Sequence, residues 1–390
     1  AILVLALSAG AAAATVPATP PIFRPDSVFQ PVTGTRGMVA AQEPIAAREG
    51  LRVLEKGGNA VDAAVVMAFV KAGTLPRAGN LAGGGFLLVH GADSGETRAL
   101  DYRETAPAAA HRDLFLDRDG NADPVKSRRT HLATGVPGTV AGMALALETY
   151  GTLSFAEALQ PAIRYADRGF PVRRELHDAL VAYRSWMSNS RAAIDTFYDA
   201  AGRPPEVGEI LKQPKLARTL RRLARRGPGE FYGGTIAEAI VEDMELHGGL
   251  ITMDDLAGYQ AVWREPVRGD YRGHTVFSMP PPSSGGAHLV QMLNILEGFP
   301  LPEMAGNTAA VHHLMIEAMR RAYADRSEFL GDPDFVDIPM DGIVSEDYAA
   351  ALRARIDPER ASRSENIGPG DPAAYAESPE TTHFSVMDRF

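Results

Sequence analysis

Residues 60–71 are apolar nearly all round a helix: Ala60-Val61-Asp62-Ala63-Ala64-Val65-Val66-Met67-Ala68-Phe69-Val70-Lys71 leaves no polar stripe at a period of 3.6. Such a helix has no face to give to water, so it belongs inside a core. The chain is long enough to build one, with 390 residues of which 45% are apolar, an ordinary fraction for a globular protein. Asn59 stands at the helix N-cap with Asp62 three residues on, in capping-box position. Before it, Pro44 suits a first helical turn, and Ile45, Leu51 and Leu54 mark a helix ending at Gly57-Gly58, where glycine takes a left-handed cap at little cost.

Local patterns place further elements. Residues 37–41 (Gly-Met-Val-Ala-Ala) read as a buried strand. The glycine-rich run 79–85 leads into a strand at 86–90, and the turn Asp93-Ser94-Gly95 returns the chain along 97–103, predicting a hairpin. Gly135-Val136-Pro137-Gly138 opens a helix over 139–150, and a second helical stretch runs from Phe155 to Gly169. Leu216, Leu220 and Leu223 lie at i, i+4, i+7 among five arginines, an amphipathic helix with a solvated basic face. A helix runs to about His247, a short capped one follows Thr252, and a strand covers 274–279. Pro280-Pro281-Pro282-Ser283-Ser284-Gly285-Gly286 runs into a helix with Leu289, Met292, Leu293 and Leu296 on one face, and Thr308 caps a helix through Phe329. Residues 357–379 are polar and rich in Pro, Gly, Ser and Glu, and read as a flexible, exposed segment.

Composition excludes several classes of chemistry. There is no cysteine, hence no disulfide framework, thiolate metal site or cysteine nucleophile. A net charge of −10 argues against a nucleic-acid surface. The glycine run has neither the Walker Gly-Lys-Ser/Thr nor a helix-opening G-x-G-x-x-G, so it is no phosphate cradle. His313 and Glu317 share a helix face without the H-E-x-x-H pattern, and the acidic residues Asp332 to Asp341 lack EF-hand order, so neither suggests a metal. Ser283 and Ser284 are better helix caps than nucleophiles, since no G-x-S-x-G surrounds them. Residues 1–14 are almost wholly small and apolar, with A-x-A options near Ala12 to Ala14. They read as the core of a cleaved secretory signal entered part-way, too short for the ~20 residues of a spanning helix, which implies a periplasmic or secreted protein.

Two places carry candidate chemistry. Arg103 ends the second hairpin strand, in Asp101-Tyr102-Arg103-Glu104. It is either paired with one of those acids or a clamp for a substrate carboxylate, whose two oxygens suit the two parallel donors of a guanidinium. Near the end, Pro379-Glu380-Thr381-Thr382-His383-Phe384-Ser385-Val386 is a polar loop running into an alternating strand. Thr381 is either an ordinary β-branched strand residue or a threonine that becomes a chain N-terminus when the Glu380–Thr381 bond is cut.

Seven motifs taken in order decide that second question by resemblance. They are Gly57-Gly58-Asn59-Ala60-Val61-Asp62-Ala63-Ala64, the glycine run before Phe86, Asp101 to Pro107, Gly135 to Gly138, Pro280 to Gly286, Ala324-Asp325-Arg326 and Thr381 to Ser385. From about Gly37 onward the chain resembles the γ-glutamyltransferase family of N-terminal-nucleophile hydrolases. The resemblance implies an α+β fold, an αββα sandwich of two antiparallel sheets between helical layers. It implies a proenzyme that cuts itself, with residues 1–21 a signal remnant and lead-in, 22–380 the large subunit, and 381–390 the first strand of the small subunit. The sandwich would be incomplete, because the small subunit should continue past Phe390 with the oxyanion glycines and the rest of the substrate site; this fragment alone is expected to be inactive. Ala82 stands where many members carry glycine.

By the same resemblance Thr381 is the catalytic nucleophile and, with Glu380, the processing site, while Arg103 grips the α-carboxylate of the γ-glutamyl group. Glu104 has at most a supporting part. Once freed, the Thr381 α-amine, with a reference pKa of about 8, suits a general base beside its own hydroxyl. The implied partners are glutathione and other γ-glutamyl compounds, acceptor amino acids or peptides, and the chain's own small subunit in a heterodimer. No metal or organic cofactor is implied. A related acylase for glutaryl β-lactams or poly-γ-glutamate, or a non-processing binding homologue, stands as the alternative.

Overall fold

In a computed structural model the described residues are 32–304 and 308–375. Backbone proximity separates Ala1–Ala40 from Ala41–Phe390, and every helix and strand described belongs to the second unit.

The apolar helix spans Ala60–Thr74 and is covered as its sequence demands, with Val65, Val66, Phe69 and Val70 at or near zero exposure. Helices Pro44–Glu55, Thr139–Tyr150 and Phe155–Arg168 pack round it, and Phe155 meets the Phe69 ring edge-on at 5.5 Å. Burying Phe69 alone contributes about 2–3 kcal/mol. Its capping acid does more than cap. Asp62 is fully buried and accepts from Asn59 N, Thr152 N, Thr152 Oγ1 and Leu153 N at 2.6–3.0 Å, so it also anchors the turn between the two covering helices. Burial pushes its carboxyl up, yet the Thr152 and backbone hydrogen bonds outweigh that and leave it lowered.

Among the described residues the strands form three antiparallel sheets. Phe86–His90 pairs with Thr97–Asp101, which pairs on its other side with Val262–Arg264; Val267–Tyr271 pairs with His274–Ser278; and Phe170–Pro171 pairs with Ile210–Leu211. The register of the first hairpin, Phe86 opposite Asp101 and His90 opposite Thr97, puts Arg103 just beyond its open end. A second core, centred on Ile295, Leu314, Tyr348 and Leu352, joins helices Ser284–Glu297, Ala309–Phe329 and Glu346–Arg353. Among the described residues no helix is long and apolar enough to cross a membrane.

Three expectations are corrected. Residues 37–41 are not a buried strand; they lie mostly exposed and have no ladder partner among the described residues, and a strand needs one for its backbone groups. In Ser284–Glu297 the buried face includes the expected Leu296, with Met292 packed on the same core, but also Ala287, His288, Val290, Gln291, Asn294 and Ile295, while Leu289 is exposed. Buried polar residues, with Gln291 bonded to Asp325 and Asn294 to the Val344 carbonyl, share that face with the apolar ones. Finally, residues 357–375 are mostly exposed as expected but are fastened rather than loose: Ser362 N and Gly370 N donate to Glu317 and Asp325, and Pro372 in the short 3-10 turn Pro372–Tyr375 is buried.

The basic helix is as expected. Pro214–Arg226 buries Ala217, Leu220 and Leu223, and two of its arginines are paired, Arg221 with Asp167 at 2.7 Å and Arg222 with Glu230.

Candidate active site

Glycines bring three segments together around Arg103. Gly85 and Tyr102 exchange backbone hydrogen bonds at 3.2 and 3.0 Å, extending the hairpin by one pair. Gly138 N and Thr139 N both donate to Gly83 O at 2.8 Å, and Thr105 pairs with Val136. A Cβ at Gly84 or at Gly138 would run into the Tyr102 carbonyl, so only glycine permits this approach. Tyr259 closes the arrangement. Its hydroxyl donates to the Arg103 carbonyl at 2.8 Å, and its ring stacks on Tyr232 at 5.7 Å. Tyr232 in turn donates to Pro137 O at 2.9 Å. Burial, then the neighbouring Tyr232 and the acids Asp101 and Glu104, raise the Tyr259 phenol, so it stays a neutral donor.

The backbone of Arg103 is thus held firmly while its guanidinium is not. Asp101, the nearest candidate partner, is buried and engaged elsewhere: its Oδ2 accepts from Arg264 Nε at 2.9 Å, and its Oδ1 from the Arg103 backbone N–H at 3.1 Å. Arg264 sits diagonally across the strand pair, with Ala99 as its direct partner. It also grips Asp334 through both terminal nitrogens at 3.2 and 2.8 Å. These hydrogen bonds, Asp334 first, raise the Arg264 guanidinium and lower the Asp334 carboxyl. Among the described residues no carboxylate pairs with the Arg103 side chain, which is exposed and lies 5.8 Å over the Phe86 ring. Of the two alternatives left by the sequence, internal pairing is the one that the described geometry does not support.

Glu380 and Thr381 lie outside the described residues. The chain leading toward them is fastened by one face of the helix Ala309–Phe329, where Glu317, Arg321 and Asp325 recur every fourth residue. Glu317, 1% exposed, accepts from Ser362 N at 3.1 Å, Ser362 Oγ at 2.6 Å, and both Arg320 and Arg321 at 2.7 Å. Burial would raise its carboxyl, but the Ser362 and Arg321 hydrogen bonds hold it down to about 2. Asp325, with no exposure, accepts from Gly370 N at 2.8 Å, Tyr348 OH at 2.8 Å and Gln291 Nε2 at 2.6 Å. His313 points away to Asp357 O at 2.8 Å, so His313 and Glu317 are not brought together. Ser283 and Ser284 are structural: Ser283 Oγ caps Gly285 N at 3.2 Å, and Ser284 Oγ accepts from Arg326 Nε at 3.0 Å. Two of the best-formed cavities, one beside Glu49 and Arg164 and one beside Asn80 and Lys212, do not include Arg103.

Sequence reasoning missed Tyr259, Arg264 and the fastening role of Glu317 and Asp325. Only the Ala324-Asp325-Arg326 motif hinted at the last.

A family model described as Gamma-glutamyltranspeptidase matches residues 46–390, and the chain belongs to that family. It is 48% identical over 379 residues to the glutathione hydrolase proenzyme of Escherichia coli K12, covering 97% of this chain and 65% of that protein. The chain therefore spans just under two thirds of that relative's length. A crystal structure of Helicobacter pylori gamma-glutamyltranspeptidase superposes with a TM-score of 0.86 at 40% identity, covering 90% of this chain and 100% of the other. The Acylase ACY 1 proenzyme of a Pseudomonas species is 37% identical over 366 residues, 92% of this chain and 64% of that protein.

Proposed function

We propose that this chain is the front part of a self-processing γ-glutamyltransferase, or glutathione hydrolase, that cleaves the γ-glutamyl amide of glutathione and related compounds. Arg103 binds the α-carboxylate of the γ-glutamyl group, and Thr381 is both the scissile-bond residue and the later nucleophile. The observation that carries this reading is the diversion of Asp101 to Arg264, which leaves Arg103 rigid in its backbone and exposed in its charge. A strand-end arginine kept only for structure would have taken the acid two residues away.

In the precursor the Thr381 hydroxyl attacks the Glu380 carbonyl, the peptide C–N bond breaks as the ester forms, and the Thr381 nitrogen leaves as a free amine. Water then cleaves the ester, returning the hydroxyl and releasing Glu380 as a carboxylate. In the mature form the amine takes the hydroxyl proton as oxygen attacks the γ-amide, and the departing amine receives a proton. The γ-glutamyl ester passes to water or to an acceptor amino acid or peptide. Because base and nucleophile lie within one residue, the step needs no Ser-His-Asp triad.

The αββα sandwich would be completed by a small subunit beginning at Thr381, whose strands join the short sheets of residues 41–375. A precursor divided there would also account for a match to all of one solved chain but 65% of a proenzyme. Glu317 and Asp325 would hold the large-subunit tail up to residue 375. The apolar residues 1–14 favour export to the periplasm or medium. The acylase relative favours one second reading, a glutaryl β-lactam substrate with the same nucleophile. Both acyl groups end in a carboxylate that Arg103 would bind, so a comparison of a γ-glutamyl anilide with a glutaryl β-lactam separates the two readings.

In the full-length protein, Thr381→Ala is expected to leave a single unprocessed polypeptide on a denaturing gel. Two normal bands from that variant would refute the cleavage assignment.

A further inference from the structure

His131, Asp243 and His247 meet on the outside of the helix Thr235–His247, away from every residue assigned above. Asp243 and His247 are four residues apart on that helix, so both side chains rise from one face. His131 arrives from the 3-10 turn His131–Ala133, 112 positions earlier in sequence than Asp243. His131 Nε2 lies 3.0 Å from Asp243 Oδ2, and His247 Nδ1 lies 3.3 Å from Asp243 Oδ1. The two imidazoles stack nearly parallel, 12° apart with centroids 4.6 Å apart. One ligand atom from each of the three residues falls within 4.8 Å of the other two.

We propose that these three side chains form a binding site for a divalent transition cation of the zinc class. The donor set decides the class, because imidazole nitrogens with one carboxylate suit Zn²⁺, Ni²⁺ or Cu²⁺, whereas Mg²⁺ and Ca²⁺ require oxygen shells. Two further details fit. His247 Nδ1 is the ring nitrogen turned toward Asp243, 3.3 Å from its Oδ1, and the tautomer protonated at Nε2 leaves Nδ1 with its lone pair for a metal. Asp243 bridges the edges of the stacked rings, one carboxylate oxygen toward each, and can offset the charge of the ion. Three protein ligands leave at least one position to water, and the half-exposed setting makes the ion exchangeable rather than essential for folding.

The site also has a structural consequence. The turn holding His131 runs directly into residues 135–138, and Val136 pairs with Thr105, two residues beyond Arg103. Val136 packs in one small core with Ala237 and Met244 of the same helix. A bound ion would tie the end of that helix to the loop that backs the Arg103 segment.

Metal-stripped full-length protein titrated with ZnCl₂ near pH 7.5 is expected to bind one equivalent in calorimetry. In excess zinc the unfolding temperature should rise by about 3 °C, with no rise in Mg²⁺. The double variant His131→Ala, His247→Ala should melt within about 1 °C of the stripped wild type and lose the zinc-dependent rise. Should that variant fold poorly, Asp243→Asn keeps the side-chain shape and should weaken zinc binding about tenfold or more. Absence of a stoichiometric zinc site in the wild type, or an unchanged zinc response in these variants, overturns the assignment.

Discussion

Arg103 and Arg321 are both arginines beside acids, and the structure treats them in opposite ways. Arg321 is buried at 6% exposure with Glu317 at 2.7 Å and the Arg355 carbonyl at 2.6 Å, so its charge is used up inside the protein. Arg103 has its backbone fixed from both sides, while the acid that could neutralise it is committed to Arg264. A charge satisfied at short range holds the fold together. A charge whose natural partner is removed remains available for a ligand, and the cost of keeping it so is shifted to the Asp101–Arg264–Asp334 group.

The largest effect that would test this contrast belongs to the buried pair. Glu317→Ala leaves Arg321 uncompensated and frees Ser362, so it should lower stability at pH 7 by about 3–5 kcal/mol in urea unfolding. The Glu317 carboxyl is held at about 2 in the fold against about 4.3 in a free chain. A lowered folded value means stability that is fully present above the unfolded value and lost as pH falls through the folded one. The gap between wild type and variant should therefore narrow from pH 5 toward pH 2. A pH-independent gap would mean that packing, and not charge, holds the strap.

Arg103→Ala should do the reverse. Processing and stability stay near wild type, while KM for a γ-glutamyl anilide rises on the order of 100-fold, the loss of a charged two-donor contact. Unchanged KM would exclude the clamp, and a large stability loss would place Arg103 with Arg321 as a structural residue. The smallest and most discriminating effect is at Arg264. Arg264→Ala frees Asp101 to capture Arg103 and should raise KM about fivefold, and adding Asp101→Asn should restore part of it. If the double variant is no better than the single one, diversion of Asp101 is not what keeps Arg103 available.

Local sequence signals placed most helices because each carries its own evidence. The Asn59–Asp62 box, Pro214 at a first turn, Gly227 after a last one and the Thr308 cap are contacts within a few residues, legible without knowing the fold. The helix Arg174–Met187 escaped detection because it buries little more than Leu176, Ala179 and Leu180. The strand Val262–Arg264 escaped because three residues show no alternation and its partner residues lie 161 to 165 positions away. The tail at 357–375 looked loose by composition, and polar composition cannot reveal that its backbone amides meet two buried carboxylates.

By itself, then, the sequence determined the buried helix at the centre of the main core, the hairpin that presents Arg103, and the ordered motifs that mark the family. What tertiary structure decided is the partner of each charge. Asp101 and Arg264 lie 163 positions apart, Glu317 and Ser362 45, His131 and Asp243 112. Hydrogen bonds and ion pairs act over about 3 Å of space whatever the distance along the chain, so local pattern shows which residues can pair and only the fold shows which of them do.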